Sequence, residues 1–528
     1  MNAAQVMNLS QLLKQTARLF SDRPGLIVDN IKISWKEIDR RVDAMACALV
    51  NLGVVKGDKI LVHSSNTQQL FESCWVAFRL GCIWVPTNFR LTPPEVAYLG
   101  ASSEAKVMIV EDDFRDHIDA VRASSKALQH VIVIGQPQNT EYSYEALVAK
   151  HLGQEAQETT VSYDDPLWFF YTSGTTGRPK AGVLTHSQMA FVVTNHLADL
   201  IPGTRETDCS IAMAPLSHGA GIHALLNVAR GAATILLTAK KLDPEDFWQQ
   251  VERHRVTNLF TVPTIVKILV EHPAVDRYDH SSLRYVIYAG APMYRIDQKL
   301  ALQKLGKVLV QYFGLGEVTG SITVLPPHMH SADDDDPNAN VGSCGRPRTG
   351  MEVAILDQNM QRLKEGEVGE ICCRGPAVFN GYHGNPEATA KALRGGWFHT
   401  GDLGKVDSFG LLYITGRESD MYISGGSNVY PLEVEEVLLT HPDVAEIAIF
   451  GIPDDKWGEV GVAVIVSRSG AQLETAQLLT YLEGRCAKYR WPHHFFFWNS
   501  IPKSGYGKIV KKDIKKMLLN QSVFKTIS

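Results

Sequence analysis

No apolar run in the 528 residues is long enough to span a bilayer, so an integral membrane segment is not expected. The N-terminus lacks a basic flank followed by an apolar stretch, which gives no sign of a secretory leader, and the final Lys525-Thr526-Ile527-Ser528 is not a peroxisomal signal. A strong charge of one sign is also missing: 52 basic against 57 acidic residues leave −5, which provides no electrostatic drive towards nucleic acid or an anionic membrane. None of the eight cysteines forms a Cys-x-x-Cys pair, and most have apolar neighbours, as in Cys74-Trp75 and Cys82-Ile83. They read as reduced, buried thiols of a cytoplasmic protein. The Gly-x-x-x-x-Gly-Lys-[Ser/Thr] spacing is absent, which disfavours a P-loop nucleotide site. There is no internal repeat, and the only biased stretch is Asp333–Asp336, a solvated loop without the Gly and bidentate Glu of a calcium loop.

What is present is ordinary globular composition, 45% hydrophobic and 21% charged, in a chain long enough for two or more cores. Strands and helices alternate from the start. Leu9 to Phe20 has helical spacing, residues 31–35 alternate like a strand, and Ser34 and Glu37 stand where a capping box opens the next helix. Residues 59–63, 83–86, 106–110 and 130–134 read as strands with helices between, and the rhythm resumes at 234–237, 258–261, 285–288 and 308–312. Such βα alternation predicts buried, mostly parallel sheets covered by helices. After about residue 350, short strands at 351–356, 368–374 and 411–415 separated by Gly, Pro and Asp turns suggest an antiparallel part. An α+β unit follows from Asp420, with a helix at 432–439, strands at 444–450 and 460–466, and a helix at 475–488. The expected class is α/β, with a large multi-sheet N-terminal domain (1–419) holding a small antiparallel barrel-like part. A small α+β domain (420–528) follows.

The stretch Tyr171-Thr-Ser-Gly-Thr-Thr-Gly-Arg-Pro-Lys180 follows the apolar run Leu167–Phe170. Glycines there permit tight turns that bring backbone N–H groups to an anion; hydroxyls donate to phosphate oxygens; Arg178 and Lys180 add positive charge. It reads as a phosphate cradle, comprising Thr172, Ser173, Gly174, Thr175, Thr176, Gly177 and Lys180, rather than a surface linker. Other segments follow predicted strands. Gly290 and Ala291 lie where open α/β sheets bind ligands. Gln311-Tyr312-Phe313-Gly314-Leu315-Gly316-Glu317 offers aromatics for a base and a carboxylate for Mg²⁺. Asp402 in Thr400-Gly401-Asp402 suits ribose hydroxyls; Arg417 follows a strand; Lys508 sits in the loop Ser504-Gly505-Tyr506-Gly507-Lys508. Taken singly, Asp402 is equally a turn residue, Glu317 a helix-start carboxylate and Lys508 a solvated cation.

In this order, residues 171–180, 311–317, 397–404, 416–420 and 502–509 resemble the motifs of the adenylate-forming superfamily, which includes acyl-CoA synthetases, peptide-synthetase adenylation domains and firefly luciferase. The resemblance covers residues from about 10 to about 515. It implies an ATP- and Mg²⁺-dependent ligase in which loop 172–180 holds the β- and γ-phosphates, Phe313 stacks on adenine, Glu317 ligates Mg²⁺, and Asp402 and Arg417 hold the ribose. Asp420 would be the hinge and Lys508 the catalytic lysine. His218, in Pro215-Leu216-Ser217-His218-Gly219, would lie near the acyl carboxylate, and Ser424, Gly425 and Gly426 would line a channel for coenzyme A. An ordinary turn before the helix that follows is an equally good reading of that last segment. Two positions depart from the family pattern. Gly316 stands where a threonine usually touches the α-phosphate, one hydrogen bond fewer, on the order of 1–3 kcal/mol. Ser419 stands where a lysine is often found.

The expected partners are therefore a small-molecule carboxylic acid, ATP and coenzyme A, in a monomer or homodimer. Small or apolar side chains (Ala220, Ile222, Ala224, Leu225, Ala291, Met293, Leu315) and the absence of an obvious second cation point to a monocarboxylic acyl or aryl acid. Transfer of the acyl group to a carrier-protein thiol, and an inactive nucleotide-binding homologue, are the alternatives.

Overall fold

The computed structural model describes residues 6–172, 178–237, 241–291, 293–336, 339–425, 427–468, 471–503 and 509–520. Two large sheets and one small sheet organise the chain. In the first, Lys59–His63 lies between Ile83–Thr87 and Val107–Glu111, all parallel, and Pro166–Thr172 continues it beyond Ile83–Thr87. Only the last pair is antiparallel: Pro166–Thr172 folds back onto Lys180–Thr185, with Thr172 facing Lys180. The second sheet runs parallel through Cys209–Ala212, Asn258–Thr261, Tyr285–Tyr288 and Leu309–Phe313. It then turns antiparallel through Thr323–Leu325 and Ser343–Pro347 into Leu412–Arg417, Phe398–Val406, Gly369–Arg374 and Glu352–Leu356. The antiparallel strands expected after residue 350 are thus an extension of the second sheet.

Strand alternation explains the layering. Ile60, Val62, Val107 and Ile109 face the main core, while Leu61, Met108 and Val110 face a second core on the opposite side. The main core also takes Val310 and Leu236 from the second sheet, so it lies between the sheets, filled by the helices Trp35–Asn51, Gln68–Arg79, His186–Asp199 and Gly219–Arg230. Helices on both outer faces make both sheets buried, as the near-continuous Val/Ile runs demand. The Ser34 hydroxyl accepts from the Glu37 N–H at 3.2 Å, the cap anticipated there. All eight cysteines are free; six are buried, and Cys47 and Cys486 are half-buried. Among the described residues, no helix is long and apolar enough to cross a membrane.

From Tyr422 the chain builds its own sheet around the antiparallel pair Val444–Asp454 and Gly458–Ser467, with His494–Phe497 parallel to the latter and cores on both faces. Two features differ from the sequence expectation. The helix expected over 475–488 ends at Leu482, because Gly484 adopts φ +72° and turns the chain. The tail forms a helix, Lys511–Asn520, held by Ile514 and Leu518 at i and i+4.

Burial imposes a pH dependence. It pushes His186, His223 and His330 down to about 4, and His63, beside His117, down to about 3. These rings stay neutral in the fold while the unfolded chain protonates near pH 6.5. Between pH 6.5 and 4 the unfolded state therefore binds more protons, so stability is full above that window and falls as pH drops through it, by up to about 1.4 kcal/mol per pH unit for each group. The urea midpoint should fall steadily from pH 6.5 to 4. A flat midpoint would contradict these buried neutral histidines.

Candidate active site

The ends of three strands and one helix start meet around Glu317. Glu317 lies in a single turn, Gly316–Val318, beyond Leu309–Phe313, and is 5% exposed. Its Oε1 accepts from the Thr172 hydroxyl at 3.1 Å and from the Tyr382 hydroxyl at 2.8 Å. Burial and the neighbouring carboxylate hold the Tyr382 phenol well above its ordinary pKa, so it stays a donor. Across the hairpin from Thr172, the Lys180 Nζ sits 5.3 Å from the centre of the Tyr382 ring. Backbone bonds lock the group: the Phe379 N–H donates to the Glu317 carbonyl at 2.7 Å and the Val183 N–H to the Gly381 carbonyl at 2.9 Å. Thr172, Lys180 and Glu317 thus lie together, with Tyr382 between the lysine and the carboxylate. Tyr382 was missed; a tyrosine after Asn380-Gly381 carries no local signal of a site.

His218 is the N-cap of the helix Gly219–Arg230, and its ring meets the Phe170 ring edge-on at 5.0 Å. Phe170 also answers the departure at Gly316. A Cβ on residue 316 would stand 2.7 Å from Phe170 Cδ1 and 2.9 Å from Thr172 Cγ2. The ring fills the space a threonine side chain would need. The nearby Thr319 hydroxyl donates to the Val318 carbonyl at 2.6 Å and is engaged locally. Gly316→Thr is therefore expected to lower activity and the melting temperature, and Gly316→Thr with Phe170→Ala to recover part of both. A gain from the single change would show that Phe170 yields freely.

A second group lies on the antiparallel strands. Asp402 and Arg417 face each other in register; the Arg417 Nε donates to Asp402 Oδ1 at 3.0 Å, with Asp402 buried and Arg417 half-exposed. Behind them the Gly401 N–H donates to Glu370 at 3.2 Å, and the His399 Nδ1 lies 2.7 Å from the same carboxylate. Glu370, Cys372 and His399 could together offer donor atoms to a metal ion, but Arg394 already pairs with Glu370 at 2.8 Å. Phe313 packs half-buried where the parallel and antiparallel parts join. Gln311 on the same strand face accepts from the Tyr288 hydroxyl at 3.0 Å, so its side chain serves packing of the sheet. Tyr312 points the other way and stacks on Phe260, with centroids 5.8 Å apart. Gly314 approaches the backbone of Gly320, where a Cβ would meet it at 2.5 Å. Gly290, at φ +83°, and Ala291 follow Tyr288, which faces Gln311 in the sheet.

Asp420 lies in a turn, its N–H bonded to the Arg417 carbonyl at 3.0 Å. Ser424 is buried and pairs with Ser427; Gly425 turns at φ +56°, with Trp457 2.9 Å from where a Cβ would be. Ser173, Gly174, Thr175, Thr176, Gly177, Gly426 and Lys508 lie outside the described residues. One buried cation escaped the sequence reading. Arg348 is 1% exposed, 3.7 Å from Asp199 and within 3.4 Å of the Gly320 carbonyl.

The Thr172–Lys180 strand pair beside the buried Glu317 carboxylate, and the Asp402–Arg417 pair further along the second sheet, belong to a chain that matches a known sequence family. The family model for AMP-binding enzymes fits residues 13–383, and that for their C-terminal domain fits 433–508. This chain belongs to the AMP-binding enzymes. It is 34% identical over 488 residues to a feruloyl-CoA synthase of Amycolatopsis, covering 92% of this chain and 94% of that one. It is 31% identical to an indoleacetate–CoA ligase of Aromatoleum aromaticum, covering 98% and 99%. Among solved structures, the amide bond synthetase McbA from Marinactinospora thermotolerans superposes with a TM-score of 0.86 at 27% identity, over 96% of this chain and 99% of that one. The family and the α/β architecture read from the sequence are both borne out.

Proposed function

We propose that this protein is an AMP-forming ligase that joins a monocarboxylic acyl or aryl acid to coenzyme A. The observation that carries the reading is the convergence of the Thr172 and Tyr382 hydroxyls on the buried Glu317 carboxylate, opposite Lys180 and close to His218 through Phe170. CoA ligases among the relatives support the same class.

A carboxylate with hydroxyl neighbours is an all-oxygen donor set, which suits Mg²⁺. Glu317 and Thr172 would hold it, and when bound it supplies positive charge beside the phosphates. The Thr172–Lys180 hairpin, with the loop it carries, binds the β- and γ-phosphates. Asp402 accepts from the ribose hydroxyls, held in place by Arg417, and Phe313 packs against adenine. His218 orients the acid at the start of its helix. A carboxylate oxygen of the acid attacks the α-phosphorus in line; the bond to the β-phosphate oxygen breaks and pyrophosphate leaves. Positioning and fixed charge supply most of the catalysis, with Lys508 bridging the acid and the α-phosphate. The sulfur of CoA then attacks the acyl carbonyl, loses its proton and expels AMP.

In this reading residues 1–419 form the body and 420–528 a mobile domain that turns about Asp420, withdrawing Lys508 and bringing Ser424, Gly425 and Gly426 to line the thiol path. Eight unpaired cysteines fit a reducing compartment such as the cytoplasm. The direct test is acid-dependent exchange of labelled pyrophosphate into ATP without CoA. Exchange requiring an acid supports the adenylate; CoA-dependent exchange alone would contradict the order of steps.

A further inference from the structure

Glu370 and Cys372 stand two apart on the strand Gly369–Arg374, so their side chains share one face, while Cys373 turns to the main core. On the neighbouring strand Phe398–Val406, His399 pairs with Cys372 in register. Carboxylate, thiol and imidazole therefore meet on two adjacent strands, with one oxygen, one sulfur and one nitrogen all within 4.8 Å of one another. Cys372 and His399 are buried, and Glu370 is half-buried. None of the three takes part in the reaction described above.

The hydrogen bonds around His399 aim one ring nitrogen at this meeting point. Nε2 lies 3.2 Å from the Arg394 carbonyl, which can only accept, so Nε2 carries a hydrogen. Nδ1 faces the Glu370 Oε2 at 2.7 Å and the Cys372 Sγ at 3.3 Å. A histidine that ligates a metal is commonly oriented in this way, its other N–H held by a backbone carbonyl. The other oxygen of Glu370 is fixed by the Gly401 N–H at 3.2 Å. The spacing is close to what a metal needs. Zinc bonds of about 2.0–2.3 Å at tetrahedral angles put ligand atoms roughly 3.3–3.6 Å apart. Sulfur and nitrogen already stand near that separation, and the carboxylate oxygen has to retreat from the ring by less than an ångström.

We propose that Glu370, Cys372 and His399 form a binding site for Zn²⁺. A thiolate and an imidazole together select a borderline-soft cation over Mg²⁺, the ion that suits the all-oxygen set at Glu317. Burial pushes the Cys372 thiol up to about 12, so it arrives protonated and yields its proton to water as the metal binds. Three protein ligands leave a fourth position for water. Arg394 controls entry. Its Nη2 donates to Glu370 Oε2 at 2.8 Å and its Nη1 to the Lys391 carbonyl at 3.0 Å, and the residue is exposed. An exposed guanidinium exchanges such a pair for water at little cost, so arginine and metal compete for one oxygen. The site does not depend on the ligase reading, and its occupancy is measured without turnover.

The test titrates Zn²⁺ into the full chain under reducing conditions with Mg²⁺ in excess, and follows binding by calorimetry against a competing chelator. Co²⁺ is the second probe, because a bound thiolate gives it a charge-transfer absorption band. The wild type is expected to bind Zn²⁺ and to show the cobalt–thiolate band. Cys372→Ser and His399→Gln should each weaken Zn²⁺ binding at least about tenfold, the scale of losing even an outer partner of a metal ligand. Cys372→Ser should also abolish the band. Arg394→Ala should tighten binding about threefold, the worth of an exposed ion pair, since the carbonyl that orients His399 is kept. No band in the wild type, a band that survives Cys372→Ser, or an affinity unchanged in both Cys372→Ser and His399→Gln would overturn the site. If those two variants fail to fold, the Arg394→Ala protein decides, and equal or weaker binding by it contradicts the site.

Discussion

Glu317→Gln is expected to reduce acid-dependent pyrophosphate formation by roughly two to three orders of magnitude, the scale seen when one preorganised electrostatic group is removed from a transition state. The shape hardly changes, so the Thr172 and Tyr382 hydroxyls can still donate to the amide oxygen, as they do to the carboxylate at 3.1 and 2.8 Å. What goes is the negative charge that would hold Mg²⁺ beside the phosphates. The melting temperature should stay within a few degrees of the wild type, and higher Mg²⁺ should rescue part of the rate. A Glu317→Gln enzyme of near-normal rate, or one that simply unfolds, would reduce Glu317 to a packing residue at the end of its strand.

Lys508→Ala is expected to separate the two half-reactions. Formation of the acyl adenylate should fall by about a thousandfold or more, while conversion of a supplied acyl adenylate and CoA to thioester should proceed at close to the wild-type rate. The asymmetry follows from the proposed turn about Asp420, which takes Lys508 away before the thiol attacks. Equal loss in both half-reactions would mean that residue 508 supports the fold or a shared surface, and the assignment would fail.

The sequence revealed the strands and the motif order because local pattern determines both. Lys59–His63, Asn258–Thr261 and Tyr285–Tyr288 are short runs rich in aliphatic and aromatic residues between helical stretches, and the sheets contain them at those bounds. Thr172, Lys180 and Glu317 could be named because glycine, hydroxyl and charge cluster within each motif. Long-range partners were hidden. Tyr382 reaches Glu317 across 65 positions of sequence, and Arg348 meets Asp199 only through the packing of distant strands and helices. The end of the helix at Leu482 was misplaced because the apolar pattern after Thr475 outlasts the helix, and Gly484 outweighs it. The meeting of Glu370 and Cys372 with His399 depends on the register of two strands, and no spacing rule encodes it.

The most direct test of the whole account is AMP release from ATP, with and without CoA, across short, medium and long fatty acids, aryl acids and amino acids. The account predicts AMP release that needs both CoA and an acid of one monocarboxylic class. AMP release with an amino acid and no dependence on CoA, or none with any acid, would contradict it.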